Sequence, residues 1–93
     1  MEINRIETES KGSFYIGEPN TKKAEMTYSK AGENLIIIDH TEVSDELRGQ
    51  GIGEKLVKAA VTFARNNNFK IMPLCPFANA IFKKTPEIRD VLK

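Results

Sequence analysis

Through its N-terminal third the chain alternates apolar and polar side chains with the two-residue period of a half-buried strand. Residues 1–8 alternate briefly, Ser10-Lys11-Gly12 is a turn-type cluster, and residues 13–17 form a second compact run, so the two runs predict a hairpin. After the break at Glu18-Pro19-Asn20-Thr21, Ala24, Met26 and Tyr28 alternate with Glu25, Thr27 and Ser29 and predict a third strand. The turn Lys30-Ala31-Gly32-Glu33-Asn34 then leads into Leu35-Ile36-Ile37-Ile38. That largely β-branched run predicts a central strand covered on both faces, which continues in polar form through Asp39-His40-Thr41-Glu42-Val43.

Past Ser44 the period changes to that of a helix. Ile52, Leu56, Ala60 and Phe63 form one stripe with Val57, Val61 and Ala64 beside it, and Asn66-Asn67-Asn68 should end it, because asparagine tolerates left-handed backbone. Residues 69–72 predict a short strand closed by Pro73. Residues 77–84 predict a second helix with Phe77, Ala80 and Ile81 on one face, and Pro86 starts a last turn or helix carrying Ile88, Val91 and Leu92. The expected class is α+β: an antiparallel meander, then a strand-helix-strand-helix half. The strand-helix-strand unit favours parallel pairing of the long fourth strand with the last one.

Between the long strand and the best helix lie Gly49, Gly51 and Gly53, one at every second position. Glycine lowers helix stability by about 1 kcal/mol against alanine, so its concentration at a helix start points to close approach of bare backbone to a ligand. Unpaired amides and the helix dipole make that ligand an anion. The dinucleotide fingerprint Gly-x-Gly-x-x-Gly fails, because Glu54 or Leu56 stands where its third glycine belongs. The nucleoside-triphosphate loop fails too, since Lys55 follows Glu54 and no Gly-Lys pair precedes Ser or Thr.

Composition narrows the field. A chain of 93 residues supports one core and has little apolar area for a second, so residues 1–93 are expected to form a single domain. With 40% hydrophobic and 29% charged residues and a net charge of +1, it reads as globular and lacks the field that draws in nucleic acid. No apolar run is long enough to span a bilayer and the charged, strand-like start is unlike a signal peptide, so a cytoplasmic protein without a membrane partner is expected. Cys75 is the single cysteine, which excludes an internal disulfide and a cysteine-rich zinc site; no metal is expected. Nothing marks a heptad seam or apolar repeat, so a monomer is expected.

Arg48-Gly49-Gln50-Gly51-Ile52-Gly53 fits the pattern Arg/Gln-x-x-Gly-x-Gly/Ala and resembles the acetyl-CoA pyrophosphate loop of the GNAT acyltransferase superfamily. Residues 38–92 further resemble a compact GNAT-like subfamily, with His40-Thr41-Glu42-Val43 before the loop and Cys75-Pro76-Phe77 after it. The resemblance implies a truncated GNAT fold, a mixed, twisted sheet whose fourth and fifth strands splay apart to admit the pantetheine arm. It implies acetyl-CoA as cofactor, held by Arg48, Gly49, Gln50, Gly51, Ile52 and Gly53 and by the backbone of Thr41 and Val43. It also implies an amine acceptor, a small molecule or a protein amine. Ordinary members build part of the acceptor site from helices between the first two strands; here only residues 9–12 stand there, too few for a helix. No tyrosine follows Tyr28, and Ile81 and Thr85 occupy positions where compact relatives often carry Tyr and His.

Acetyl transfer to an amine needs a neutral nucleophile, a polarised thioester and a route for protons. An amine with a pKa of about 10.4 costs about 4–5 kcal/mol to deprotonate near neutral pH, so a base is useful. His40 and Glu42 are the candidate bases, on one face of the strand with Thr41 and Val43 on the other, unless a bulge changes the assignment. Cys75, at a strand end between Pro73 and Pro76, is a candidate acyl carrier or slot-lining thiol. Each has a plainer alternative: a structural imidazole, a solvated carboxylate, a small buried hydrophobe. Lys55, Lys58, Lys70, Lys83 and Lys84 form a solvated face, some of it available to the adenosine phosphate. The expected activity is N-acetyl transfer; the alternatives are a non-catalytic acetyl-CoA sensor and a cofactor-free interaction domain.

Overall fold

The computed structural model describes residues 2–93; Met1, where the predicted first alternation starts, lies outside them. Five strands form one sheet in chain order: β1 (Asn4–Glu7), β2 (Lys11–Glu18), β3 (Thr21–Lys30), β4 (Leu35–Val43) and β5 (Lys70–Pro73). The first four pair antiparallel, and β5 runs parallel to β4 from Leu35↔Lys70 to Ile38↔Pro73. Parallel pairing follows from the intervening helix, which carries the chain back to the starting end of β4.

That helix, α1 (Ile52–Asn67), buries Leu56, Val57, Ala60, Val61 and Ala64 against Phe14, Met26, Tyr28, Ile36 and Ile38 of the strands. It ends where the asparagines predict, with Asn68 left-handed at φ 59 and its amide bonded to the Ala64 carbonyl. Helix α2 (Pro76–Lys84) and a 3-10 turn (Pro86–Val91) join the same core through Ala78, Ile81, Phe82, Ile88 and Val91. All helical packing therefore falls on one side of the sheet. The other side carries no helix among the described residues; His40 and Glu42 are exposed there and Glu25 and Thr27 half-buried.

One irregularity sets the chemistry of β4. Its register against β3 slips between Tyr28↔Ile38 and Thr27↔His40, leaving Asp39 unpaired as a bulge. Ile36 and Ile38 face the helices before it; beyond it the alternation inverts. Thr41 and Val43 thus share the helix side with Met26 and Ala24, while His40 and Glu42 turn to the open face beside Thr27 and Glu25.

β4 also outruns β5. The Ile38 carbonyl accepts from both the Leu74 and the Cys75 amides, at 3.1 and 3.2 Å, and the chain then turns into α2. Among the described residues no strand pairs with the stretch 39–43 on that edge, where the fourth and fifth strands are expected to splay.

Candidate functional site

At one end of this opening the chain leaves β4, makes a 3-10 turn (Asp45–Leu47) and enters α1 through the glycine cluster. Gly49 and Gly51 are left-handed, at φ 81 and 70, and a Cβ on either would meet nothing within 4 Å. Gly53 has a different reason: it is helical and buried, and a Cβ there would lie 2.5 Å from the Phe77 ring. Two glycines make the turn and the third makes room for α2. Backbone bonding in α1 starts with the Lys55 amide on the Gly51 carbonyl at 3.1 Å, and no side chain caps the helix start. By helix geometry the amides of Ile52, Gly53 and Glu54 have no carbonyl to donate to. They and the helix dipole make the first turn receptive to an anion.

Arg48 stands at this turn, exposed and paired with Asp45 at 3.1 Å, and the Gln50 amide reaches the Glu46 carbonyl at 3.4 Å. Between the ends of β3 and β4 and the turn lies a cavity of about 440 Å³ whose lining includes Thr41, Val43, Ser44 and Arg48, with Lys22 and Lys23 opposed by Glu25 and Glu42. The Ser44 Oγ is buried there without a hydrogen-bond partner among the described residues.

Cys75 lies across the opening from Thr41. Its Sγ donates to Thr41 Oγ1 at 3.5 Å, and it occupies the cap position of α2. Burial pushes the thiol pKa up, yet the Thr41 hydroxyl, which turns to donate once the thiol is ionised, and the backbone of Ala78, Phe77 and Thr41 outweigh it and hold the group below the ordinary thiol value. A thiol at a helix N-terminus gains from the dipole in the same direction. His40 and Glu42 form a second pair, Nε2 to Oε1 at 2.9 Å, with side chains 62% and 75% exposed. The two pairs sit on opposite sides of β4: the structure unites Cys75 with Thr41 and His40 with Glu42, and does not bring His40 to the thiol. Of the lysines, Lys58 and Lys84 share Glu54 in the first turn of α1, at 3.2 and 3.6 Å, while Lys70 is tied to the Asp90 carbonyl at 2.7 Å.

The model of the GCN5-related N-acetyl-transferase family matches residues 13–91. The chain belongs to this family. A GCN5-like protein of Staphylococcus aureus, solved in solution, is 48% identical over 99% of this chain and 87% of its own, with a TM-score of 0.77. Protein NATD1 of Gallus gallus is 33% identical over 64 residues, 69% of this chain and 58% of that protein, so the match spans little more than half of it. AAC(6')-Iy, solved with a bisubstrate analogue built on CoA, shares the fold at 12% identity and a TM-score of 0.54, over 87% of this chain and 62% of its own. The mixed five-stranded sheet with its helices on one side is thus a GNAT fold.

Reading the sequence singled out the loop and the three side chains but missed the donors around the thiol. These are main-chain amides of Phe77 and Ala78, which carry no residue signature. The signal for them was Pro76, a residue favoured at the first helical position, directly after the cysteine. Ile81 and Thr85, at 4% and 8% exposure, face the interior, and no acid reaches the opening from either.

Proposed function

We propose that this protein is an acetyl-CoA-dependent N-acetyltransferase acting on an amine. The observation that carries the reading is the uncapped start of α1, opened by two left-handed glycines at the end of the β4–β5 splay. Arg48 and the first amides of α1 would hold the pyrophosphate, and the unpaired edge of β4 at Thr41 and Val43 the pantetheine. Bound there, acetyl-CoA supplies an activated thioester. His40, oriented by Glu42 at 2.9 Å, is suited to take the proton an ammonium must lose. Cys75, its thiol pKa lowered and its Sγ beside Thr41, is suited to line the thioester or to exchange with it.

Isothermal titration with acetyl-CoA tests the cofactor half, and product formation over a panel of amines tests turnover. Saturable binding that weakens at least tenfold when the nucleotide portion is removed is expected; absence of binding overturns the reading. A second reading, a binding protein without turnover, is favoured by the apolar or buried character of Ile81 and Thr85, which leaves the departing CoA thiolate without a side-chain acid from α2. Binding without product from any amine would select it.

A further inference from the structure

The open face of the sheet carries a feature that the cofactor site does not use. A cavity of about 370 Å³ lies on it, with Ile6, Lys11, Ser13, Glu25, Thr27 and Asp39 among its walls, two carboxylates against one ammonium, and a volume in the range of small-ligand sites. Register places its floor in one line that continues past the cavity to His40: Ile6 pairs with Ser13, Ser13 with Thr27, and Thr27 with His40. At the usual strand spacing this row runs about 14 Å from the outer strand to the strand that borders the cofactor opening. The tight turn between β1 and β2, closed by the Thr8 amide on the Lys11 carbonyl at 2.7 Å, supplies Thr8, Lys11 and Gly12 to its wall.

The two ends differ in chemistry. At the β4 end the bulge presents the Asp39 carboxylate, which accepts from Ser29 Oγ at 2.7 Å. Among the described residues no ion pair includes it, whereas Glu25 is neutralised by Lys22 at 2.8 Å and Glu42 faces His40. At the β1 end Ile6 is 40% exposed, one of three large apolar side chains left uncovered among the described residues. Hydroxyls of Ser13 and Thr27 lie between.

We propose that this groove is the acceptor site and takes a small primary amine with an apolar tail, its ammonium at Asp39, next to His40 in the chain, and its tail toward Ile6. A free amine fits better than a protein lysine: a four-carbon stem falls short of the row, leaving Ile6 uncovered and the peptide backbone over the hydroxyls. Which end reacts rests on the acetyl-transfer reading; the binding itself does not.

Titration of n-butylamine, n-hexylamine and n-octylamine into the isotope-labelled protein without acetyl-CoA, followed by amide chemical shifts, tests the assignment. Shifts should centre on Ile6, Ser13, Thr27, Asp39 and His40, and affinity should rise about two- to fourfold per added methylene. D39N should weaken all three amines at least fivefold, and I6S should flatten the chain-length series while sparing butylamine. Shifts elsewhere, affinity independent of chain length, or a lysine peptide that perturbs the same amides as strongly as octylamine would overturn the proposal. Amine binding in a protein that fails to bind acetyl-CoA sinks the transfer reading alone; acetyl-CoA binding with no amine in the groove sinks this one alone.

Discussion

Gly51 shows how one residue serves conformation and ligand together. Its φ of 70 is costly for a side chain with a Cβ, yet the space a Cβ would enter is empty. A valine there would strain the turn as well as block the seat, so lost binding would have two causes. Asparagine tolerates left-handed backbone: Gly51→Asn should keep the melting temperature within a few degrees and lower acetyl-CoA affinity about tenfold or more, by calorimetry on the folded variant. Cys75 is the second residue whose setting decides its role. Its depressed pKa depends on the Thr41 hydroxyl and the α2 amides acting against burial. Thr41→Val should move the pH midpoint of iodoacetamide alkylation upward, and incubation of the wild-type protein with acetyl-CoA should leave acetyl on Cys75, read by mass spectrometry. Label confined to lysines would reject Cys75 as an acyl carrier.

Elements are held to one another by pairs that local patterning does not announce. The short edge strand β1 has mostly exposed residues, and a polar clasp secures it: Tyr28 Oη, fully buried, donates to Glu7 at 2.7 Å and accepts from Arg5 at 3.1 Å, while the Arg5 guanidinium lies 4.3 Å over the Phe63 ring of α1. The Tyr28 hydrogen bond, with help from Lys30 and Arg5, lowers the Glu7 pKa despite partial burial. A carboxylate with a depressed folded pKa contributes stability above its unfolded pKa and loses it as pH falls through the folded value. Tyr28→Phe should therefore cost about 1–2 kcal/mol in urea unfolding at pH 7, and the difference from wild type should shrink as pH falls below about 4. A gap unchanged at low pH would assign the loss to packing.

Across the whole molecule, β4 is a partition. One side carries Thr41, facing Cys75 across the splay; the other carries the His40–Glu42 pair and the uncovered sheet face. If cofactor and acceptor meet through this partition, single substitutions should separate their functions. His40→Ala should preserve acetyl-CoA affinity and acetyl-Cys75 formation while lowering amine acetylation about 10²-fold or more. Cys75→Ala should abolish the protein adduct and retain cofactor binding. Parallel loss of both activities in His40→Ala would place the imidazole with the thioester instead.

Periodicity and spacing were enough for the strand and helix order and the glycine-opened helix start, because each follows from neighbours a few residues apart, and the strand-helix-strand order was enough for the parallel return of β5. The helix stripe from Ile52 to Ala64 and the asparagine stop were legible for the same reason. The sequence also named the residues at the opening. It left undecided which side of the sheet each faces, since one unpaired residue, Asp39, inverts every later position and arises from how β3 and β4 align. Nor was the purpose of Gly53 readable: its glycine character answers a ring 24 positions away, on a helix that tertiary packing brings against it. The thiol's hydrogen bonds and the row from Ile6 to His40 are likewise made by segments distant in sequence. Local order is written in short-range chemistry, whereas facing, contact and electrostatic environment exist only once the chain has closed on itself.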